Sequence, residues 1–269
     1  MSLTAPVSTL SDADYRRIQA FLRKEAGITL GPAKKPLVMG RLGKRLRARD
    51  CGSYDAYLRL LDSEATERQQ AVDLLTTNET YFFRETKHFA FLSEQIIPQR
   101  ANQSALRIWS AACSSGEEPY SIAMVLAERR GRGWEILASD LSTRMLASAA
   151  QGIYPMERAE KIPKAYLKRY CLRGVGRQEG SFSIVPELRK SVKFSQINLN
   201  QPLPAVGDFD VIFLRNVLIY FDPPAKEAIC LRLLAHLRPG GYFLVGHSES
   251  LHGVVDGLRL VQPAVYRRD

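Results

Sequence analysis

Leu106-Arg107-Ile108-Trp109-Ser110-Ala111-Ala112-Cys113-Ser114-Ser115-Gly116-Glu117-Glu118-Pro119-Tyr120-Ser121 is the stretch on which the fold turns. An apolar run reads as a buried strand over Leu106–Cys113, small residues turn the chain, and Glu117–Arg130 opens a helix with Ile122, Val125 and Leu126 inward. The alternation repeats downstream. Strands are expected at Trp134–Asp140, Val192–Ile197, Asp210–Leu214 and Tyr242–Val245, with helices at Ser142–Ala150 and Pro223–Leu237. Strands and helices taking turns at this spacing predict a doubly wound, Rossmann-like α/β domain on a parallel sheet. Leu258–Val261 and Ala264–Arg267 read as a closing hairpin. One segment breaks the rhythm: in Tyr166–Ser191, Gly174, Gly176 and Gly180 separate the strand-like runs Tyr170–Arg173 and Ser181–Val185, as in a small antiparallel β-subdomain inserted into the domain.

Ahead of this region, residues 11–98 read as helical. Ser11 and Asp14 resemble a capping box, and Tyr15, Ile18, Phe21 and Leu22 form an apolar stripe. The expected organisation is an all-α domain over 1–75, a linking helix over 76–98, and the α/β domain over 99–269. In Leu37–Arg49, Val38, Leu42 and Leu46 share one helix face, while Arg41, Arg45 and Arg49 share another beside Lys44. From Lys34 to Arg49 there are seven basic residues and no acidic one, so the run reads as a docking face for something negative.

The chain has 269 residues, 45% of them apolar and 25% charged, enough to bury a core of ordinary density. No stretch approaches the ~18–20 apolar residues of a membrane-spanning helix; even Val211–Phe221 contains Arg215 and Asn216. Met1–Ser11 shows no secretory signal, so the chain is expected in the cytoplasm. Cys51, Cys113, Cys171 and Cys230 are too dispersed for a zinc ribbon or a disulfide scaffold, and read as reduced thiols. His88, His236, His247 and His252 form no HExxH or HxH pattern, so no bound metal is expected. A net charge of +10 attracts nucleic acid, anionic lipid or an acidic protein alike.

In a doubly wound sheet, ligands bind where strands end and helices begin. The turn Ala111–Pro119 lacks GxGxxG, which disfavours a nicotinamide cofactor. Its small residues still allow close approach, while Glu117 and Glu118 would repel a pyrophosphate and suit an ammonium. Asp140, ending the second strand, is placed to accept from a ribose diol. An amino acid head, a ribose and an adenine on one strip of strand ends describe S-adenosylmethionine. Thr76–Arg84, Ile197–Leu199 and Phe213–Phe221 add polar groups to the same strip.

TTNETYFFRE, WSAACSSGEEPYSIAM, ASDLS, INLNQP, LRNVLIYF and GHSES, in that order, resemble the CheR-type chemotaxis receptor methyltransferases. The resemblance runs over essentially the whole chain. It implies a protein-glutamate O-methyltransferase of the class I S-adenosylmethionine-dependent fold, acting on the cytoplasmic helical bundles of chemoreceptors and releasing S-adenosylhomocysteine. It also implies residue roles. Asn78, Thr80 and Arg84 would meet the methionine end, Arg84 pairing with its carboxylate. Glu118 is favoured over Glu117 for the ammonium, although spacing does not separate them. Asp140 would take the ribose, Asn198-Leu199 and Asn216-Val217 the adenine end, and Tyr220 the sulfonium. Arg100 would steer the incoming glutamate, and the β-subdomain is open to a receptor C-terminal peptide. Arg41, Lys44, Arg45 and Arg49, on the basic face read from the residues themselves, would dock the receptor. A monomer that neither binds nucleic acid nor inserts into membrane is expected.

Two near-misses fall away. Gly246-His247-Ser248-Glu249-Ser250 ends in Ser where a GxSxG nucleophile elbow needs Gly. Asp222-Pro223-Pro224-Ala225 has Ala225 where an amino-methylating enzyme stacks a base on an aromatic ring. The alternatives are a nucleic-acid methyltransferase and a non-catalytic module that senses the cofactor.

Overall fold

The computed structural model describes residues 9–103 and 105–269. Met1–Ser8, most of the stretch read as free of a secretory signal, lies outside them. The chain divides into two compact units, one within Met1–Thr77 plus Tyr220–Ala225, the other Asn78–Ile219 plus Lys226–Asp269.

The first unit is helical. In α1 (Asp12–Ala26), the Ser11 hydroxyl accepts from the Asp14 amide, Gly27 caps the other end in the left-handed region, and Tyr15, Ile18, Leu22 and Ala26 are buried. Phe21 stays half-buried. In α2 (Lys35–Ala48), Val38, Leu42 and Leu46 are fully buried, as their spacing on one face requires. α3 (Tyr54–Ser63), capped by Ser53, and α4 (Ala65–Leu75) complete the core with Tyr54, Tyr57, Leu58, Leu61, Ala71, Val72 and Leu75. The excursion Tyr220–Ala225 joins this unit: the Thr29 amide donates to the Tyr220 carbonyl at 2.9 Å, Ile28 bridges Phe221, and Arg23 pairs with Asp222 at 2.5 Å.

The second unit opens without a helix, since Asn78–Glu85 is irregular where the sequence suggested helical continuity. Phe83 and Glu85 both take positive φ, at 54° and 59°, which a helix does not tolerate. Helix α5 (Thr86–Phe91) then passes through a π-turn at Leu92–Ile96 into α6 (Ile97–Gln99).

Ten strands follow: β1 (Leu106–Ser110), β2 (Trp134–Asp140), β3 (Ile153–Pro155), β4 (Cys171–Arg173), β5 (Ser181–Ile184), β6 (Val192–Gln196), β7 (Phe209–Leu214), β8 (Leu237–Val245), β9 (Leu258–Gln262) and β10 (Val265–Arg268). Seven form one sheet in the order β6-β2-β1-β7-β8-β10-β9. Its first five members are parallel, and β10 and β9 close it as the antiparallel hairpin. From β1 the chain winds outward through β2 to β6, then returns to β7 and winds the other way. The topological switch point therefore lies between β1 and β7. Helices α7 (Glu117–Arg129), α8 (Thr143–Gln151) and α11 (Pro223–Leu234) make the crossovers. Every residue of β7 is buried, as expected of a central strand covered on both faces.

The small second sheet has the order β3-β5-β4 and begins at Ile153, ahead of the segment whose glycines betray it. Helices α9 (Lys164–Tyr170) and α10 (Pro186–Lys190) flank it, and Phe182 and Ile184 tie it to the main core.

Candidate active site

The turn after β1 is built for compactness. Gly116 sits at φ +94°, and a Cβ there would come within 2.8 Å of the Ala149 side chain. Ser114 also takes positive φ, with its amide donating to Asp140 at 2.8 Å. The other Asp140 oxygen accepts from the Ser142 amide at 2.8 Å. Asp140 thus spans the ends of β1 and β2. The Ser114 hydroxyl donates to the Asn78 carbonyl at 3.1 Å, bringing the entry segment of the unit to the same turn.

The two glutamates that begin α7 part company. Glu117 is buried, accepting from Ser115 and from Arg158 at 2.7 Å each. Burial raises its carboxyl against those two partners. Glu118 faces the strand ends, accepting from the Ser110 hydroxyl at 2.7 Å and from Arg215 at 2.9 Å.

Arg215, just past β7, is the hub of the switch point, with its side chain only 1% exposed. One terminal nitrogen donates to Glu118, and the other to Glu85 at 2.9 Å and to the Arg84 carbonyl. Its guanidinium also lies 5.6 Å from the centre of the Phe89 ring. Glu85 accepts in addition from the Asn216 side chain at 3.0 Å and the His247 amide at 3.1 Å. Burial alone would raise the Glu85 carboxyl, yet these hydrogen bonds and the Arg215 charge carry it down to about 2.

Glu249, from the GHSES segment, is a second clamp. It accepts from the amides of Asn216, Gly246 and Leu218 at 2.7 Å each and of Ile219 at 3.3 Å. Those bonds hold the loop after β7 in place, with Asn216 at φ 57°. Glu85, Arg215 and Glu249 escaped the sequence reading as site residues; the available signal was an arginine and an asparagine standing inside an otherwise apolar run.

The remaining expected residues are placed as follows. Thr80 gives its carbonyl to Arg158 at 2.7 Å. Arg84 is half-buried, donates to the Glu79 carbonyl at 2.9 Å, lies against the Tyr81 ring and, among the described residues, pairs with no carboxylate. Asn198 accepts from the Asn200 amide at 2.9 Å in an Asx turn, and the Leu199 carbonyl takes Arg232 at 2.7 Å, both just beyond β6. Val217 is half-buried between Asn216 and the one-turn helix Leu218–Tyr220. Tyr220 closes that turn, and its segment belongs to the helical unit.

Arg100 requires a correction. It donates to the Gly240 carbonyl at 2.7 Å and faces Asp210 at 3.7 Å, at the N-terminal end of β7. The ligand-facing end, Leu214, is four residues away, about 13 Å along a strand. Arg100 therefore closes the opposite edge of the sheet and does not reach the site.

The basic face of α2 also needs correction. Arg45 binds Glu67 through two nitrogens, one at 2.8 Å, and Glu67 is 1% exposed. Tyr57 adds a hydrogen bond to Glu67 at 2.6 Å. Arg49 binds Glu64 at 2.6 Å, and Arg41 donates to the carbonyls of Leu75 and Thr76 at 3.0 and 2.9 Å. These three arginines fasten α2 to α4 and its end. Among the described residues, Lys44 alone of the four expected docking residues is left exposed without an acidic partner, beside the exposed Arg47.

All four cysteines are free, Cys113 and Cys230 buried, and burial raises both thiols. No described helix is long and apolar enough to cross a membrane.

A doubly wound sheet with a close-packed turn after its first strand and the carboxylates of Glu118 and Asp140 at its strand ends has the architecture of a class I S-adenosylmethionine-dependent methyltransferase. Residues 78–266 match the family description "CheR methyltransferase, SAM binding domain", and residues 13–76 match "CheR methyltransferase, all-alpha domain". Chemotaxis protein methyltransferase 2 of Pseudomonas aeruginosa is 44% identical over 94% of this chain and 92% of its own. The chemotaxis protein methyltransferases of Salmonella typhimurium and Escherichia coli are 41% and 42% identical, over 96% and 90% of this chain and 90% and 85% of theirs. Among solved structures, the glycopeptide N-methyltransferase MtfA complexed with (S)-adenosyl-L-methionine is similar at 18% identity and a TM-score of 0.36, over 64% of this chain and 58% of that one. The chain belongs to the CheR methyltransferase family.

Proposed function

We propose that this protein transfers a methyl group from S-adenosylmethionine to glutamate side chains on the cytoplasmic domains of chemoreceptors, releasing S-adenosylhomocysteine. The observation that carries the reading is Asp140, whose buried carboxylate accepts from the turn after β1 and from the start of α8 at the strand ends where a diol would be held. The donor set fits the cofactor. Asp140 would hold the ribose and Arg84 the amino acid carboxylate, with Asn78 and Thr80 beside it. Glu118 would face the ammonium in preference to Glu117, which is buried with Arg158 away from the strand ends. Asn198, Leu199, Asn216 and Val217 would flank the adenine.

When bound, S-adenosylmethionine supplies an electrophilic methyl on a sulfonium. The chain's own task is modest in chemical terms. A glutamate has a pKa of ~4.3, so it arrives already ionised and needs no general base. Strong hydrogen bonds to that carboxylate would stabilise it more before transfer than during it. The protein therefore aligns and partly desolvates the two partners, an effect worth up to ~7–11 kcal/mol in well-oriented systems. Tyr220 is assigned to the sulfonium on the family resemblance, its ring offering a face to a cation.

Receptor docking falls to the exposed cations of the Lys34–Arg49 run that have no ion pair among the described residues, Lys34, Lys44 and Arg47. This small set does not make the long basic stripe that a nucleic-acid backbone requires, and a nucleic-acid substrate is not favoured. The edge strand β4, with Leu172 and Val175 strongly exposed, would accept a receptor C-terminal peptide as an added strand. The protein acts as a cytoplasmic monomer on this reading.

Titration calorimetry with S-adenosylhomocysteine tests the cofactor assignment. Binding should be lost in D140A and weakened in R84A; equal binding by wild type and D140A would overturn it.

A further inference from the structure

Glu85, His88 and His247 stand together although Glu85 and His247 are 162 residues apart. One ligating atom from each lies within 4.8 Å of the others. The His88 side chain is fully buried, and neither ring nitrogen makes a hydrogen bond, the Nδ1 standing 3.4 Å from the Glu85 Oε2. A buried imidazole without a partner is costly unless something engages it. The His247 ring packs edge-on against it at 4.9 Å between centroids, and His247 is exposed, which gives the pair an opening to solvent.

We propose that Glu85, His88 and His247 form a binding site for a divalent transition-metal ion of the zinc class, and that filling it loosens the cofactor loop.

Two histidines and a carboxylate make a familiar donor set for such ions. Tetrahedral ligation at 2.0–2.1 Å needs donor atoms about 3.3 Å apart, so the exposed His247 closes in by about 1–1.5 Å. The Glu85 carboxylate and the His88 imidazole are already in the protonation states a metal demands. Burial and then the Arg215 charge push the His88 imidazole down to about 3, against the pull of Glu85. The local charge invites a cation as well: Glu85 and Glu118 share Arg215, formally one negative charge in excess. A metal ion on the Glu85 carboxylate competes with its present donors, and Asn216 at 3.0 Å is the donor that the cofactor assignment uses. This coupling rests on the function proposed above; the metal site itself does not.

The test uses the full chain stripped with chelator. Cobalt(II) should give the visible bands of a tetrahedral site without a near-ultraviolet thiolate band. H247A, altered at an exposed position, should lose about 10–100-fold in cobalt affinity. Saturating zinc should weaken S-adenosylhomocysteine binding about tenfold in the wild type, the worth of one hydrogen bond, and leave H247A unaffected. Absent visible bands, bands unchanged in H247A, or a thiolate band would overturn the site, and zinc without effect on the wild type would overturn the coupling. Should the metal-free protein bind no S-adenosylhomocysteine, the cofactor reading falls while the cobalt spectrum still decides the metal site.

Discussion

Arg215 is the residue on which the site depends for its internal order, because two carboxylates on different segments answer to it. Removing one member of a buried ion-pair cluster leaves the others uncompensated, at a cost of about 3–5 kcal/mol. R215A should therefore lose about that much unfolding free energy in urea, and a loss under 1 kcal/mol would show that Glu85 and Glu118 find other partners. Glu85 carries a pH signature. Its carboxyl sits at about 2 in the folded chain, below its ordinary 4.5, so its contribution is complete above about pH 4.5 and disappears as pH falls through 2. That contribution is about 3 kcal/mol at neutral pH. The stability gap between wild type and E85Q should shrink steadily from pH 5 to pH 2, and a gap independent of pH would contradict the assignment. None of this was legible beforehand. The partners of Arg215 stand 97 and 130 residues away along the chain, and no local pattern reports a contact over such separations.

At the scale of elements, the parallel strands and their crossover helices were readable because each obeys its own period, from the buried run of β7 to the Ser11 cap of α1. The loop after β7 was readable only as a motif. Its conformation, with Asn216 in the left-handed region, depends on four amides reaching Glu249. E249A should weaken S-adenosylhomocysteine binding tenfold or more, since charged hydrogen bonds of this kind are worth about 1.5–3 kcal/mol each. Calorimetry would show it, and an unchanged Kd would free the loop from this dependence. The α2 face teaches the converse. Counting charge from Lys34 to Arg49 finds seven cations, but Glu67 comes from α4 and Glu64 from its N-cap, and three of the cations fasten to that helix and its ends. R45E should consequently destabilise the helical unit by about 3–5 kcal/mol, because Glu67 would stay buried beside a like charge. A variant of normal stability but poor receptor use would restore Arg45 to the docking face.

For the whole molecule, charge governs encounter and the strand ends govern chemistry. The chain carries +10, and the exposed Lys44 and Arg47 are the part of that surplus on α2 with no acidic partner. Reversing both to glutamate should raise the KM for receptor severalfold and blunt its salt dependence while leaving cofactor affinity intact. Equal KM values across salt concentrations for variant and wild type would move docking elsewhere. The central claim is the chemistry of transfer to a carboxylate, and one measurement reaches it: labelled methyl from S-adenosylmethionine offered to purified chemoreceptor cytoplasmic domains, followed by mild base. The account predicts label that base releases and that is absent when the receptor glutamates are replaced by alanine. Label that survives base, or no transfer by protein that binds the cofactor, would contradict it.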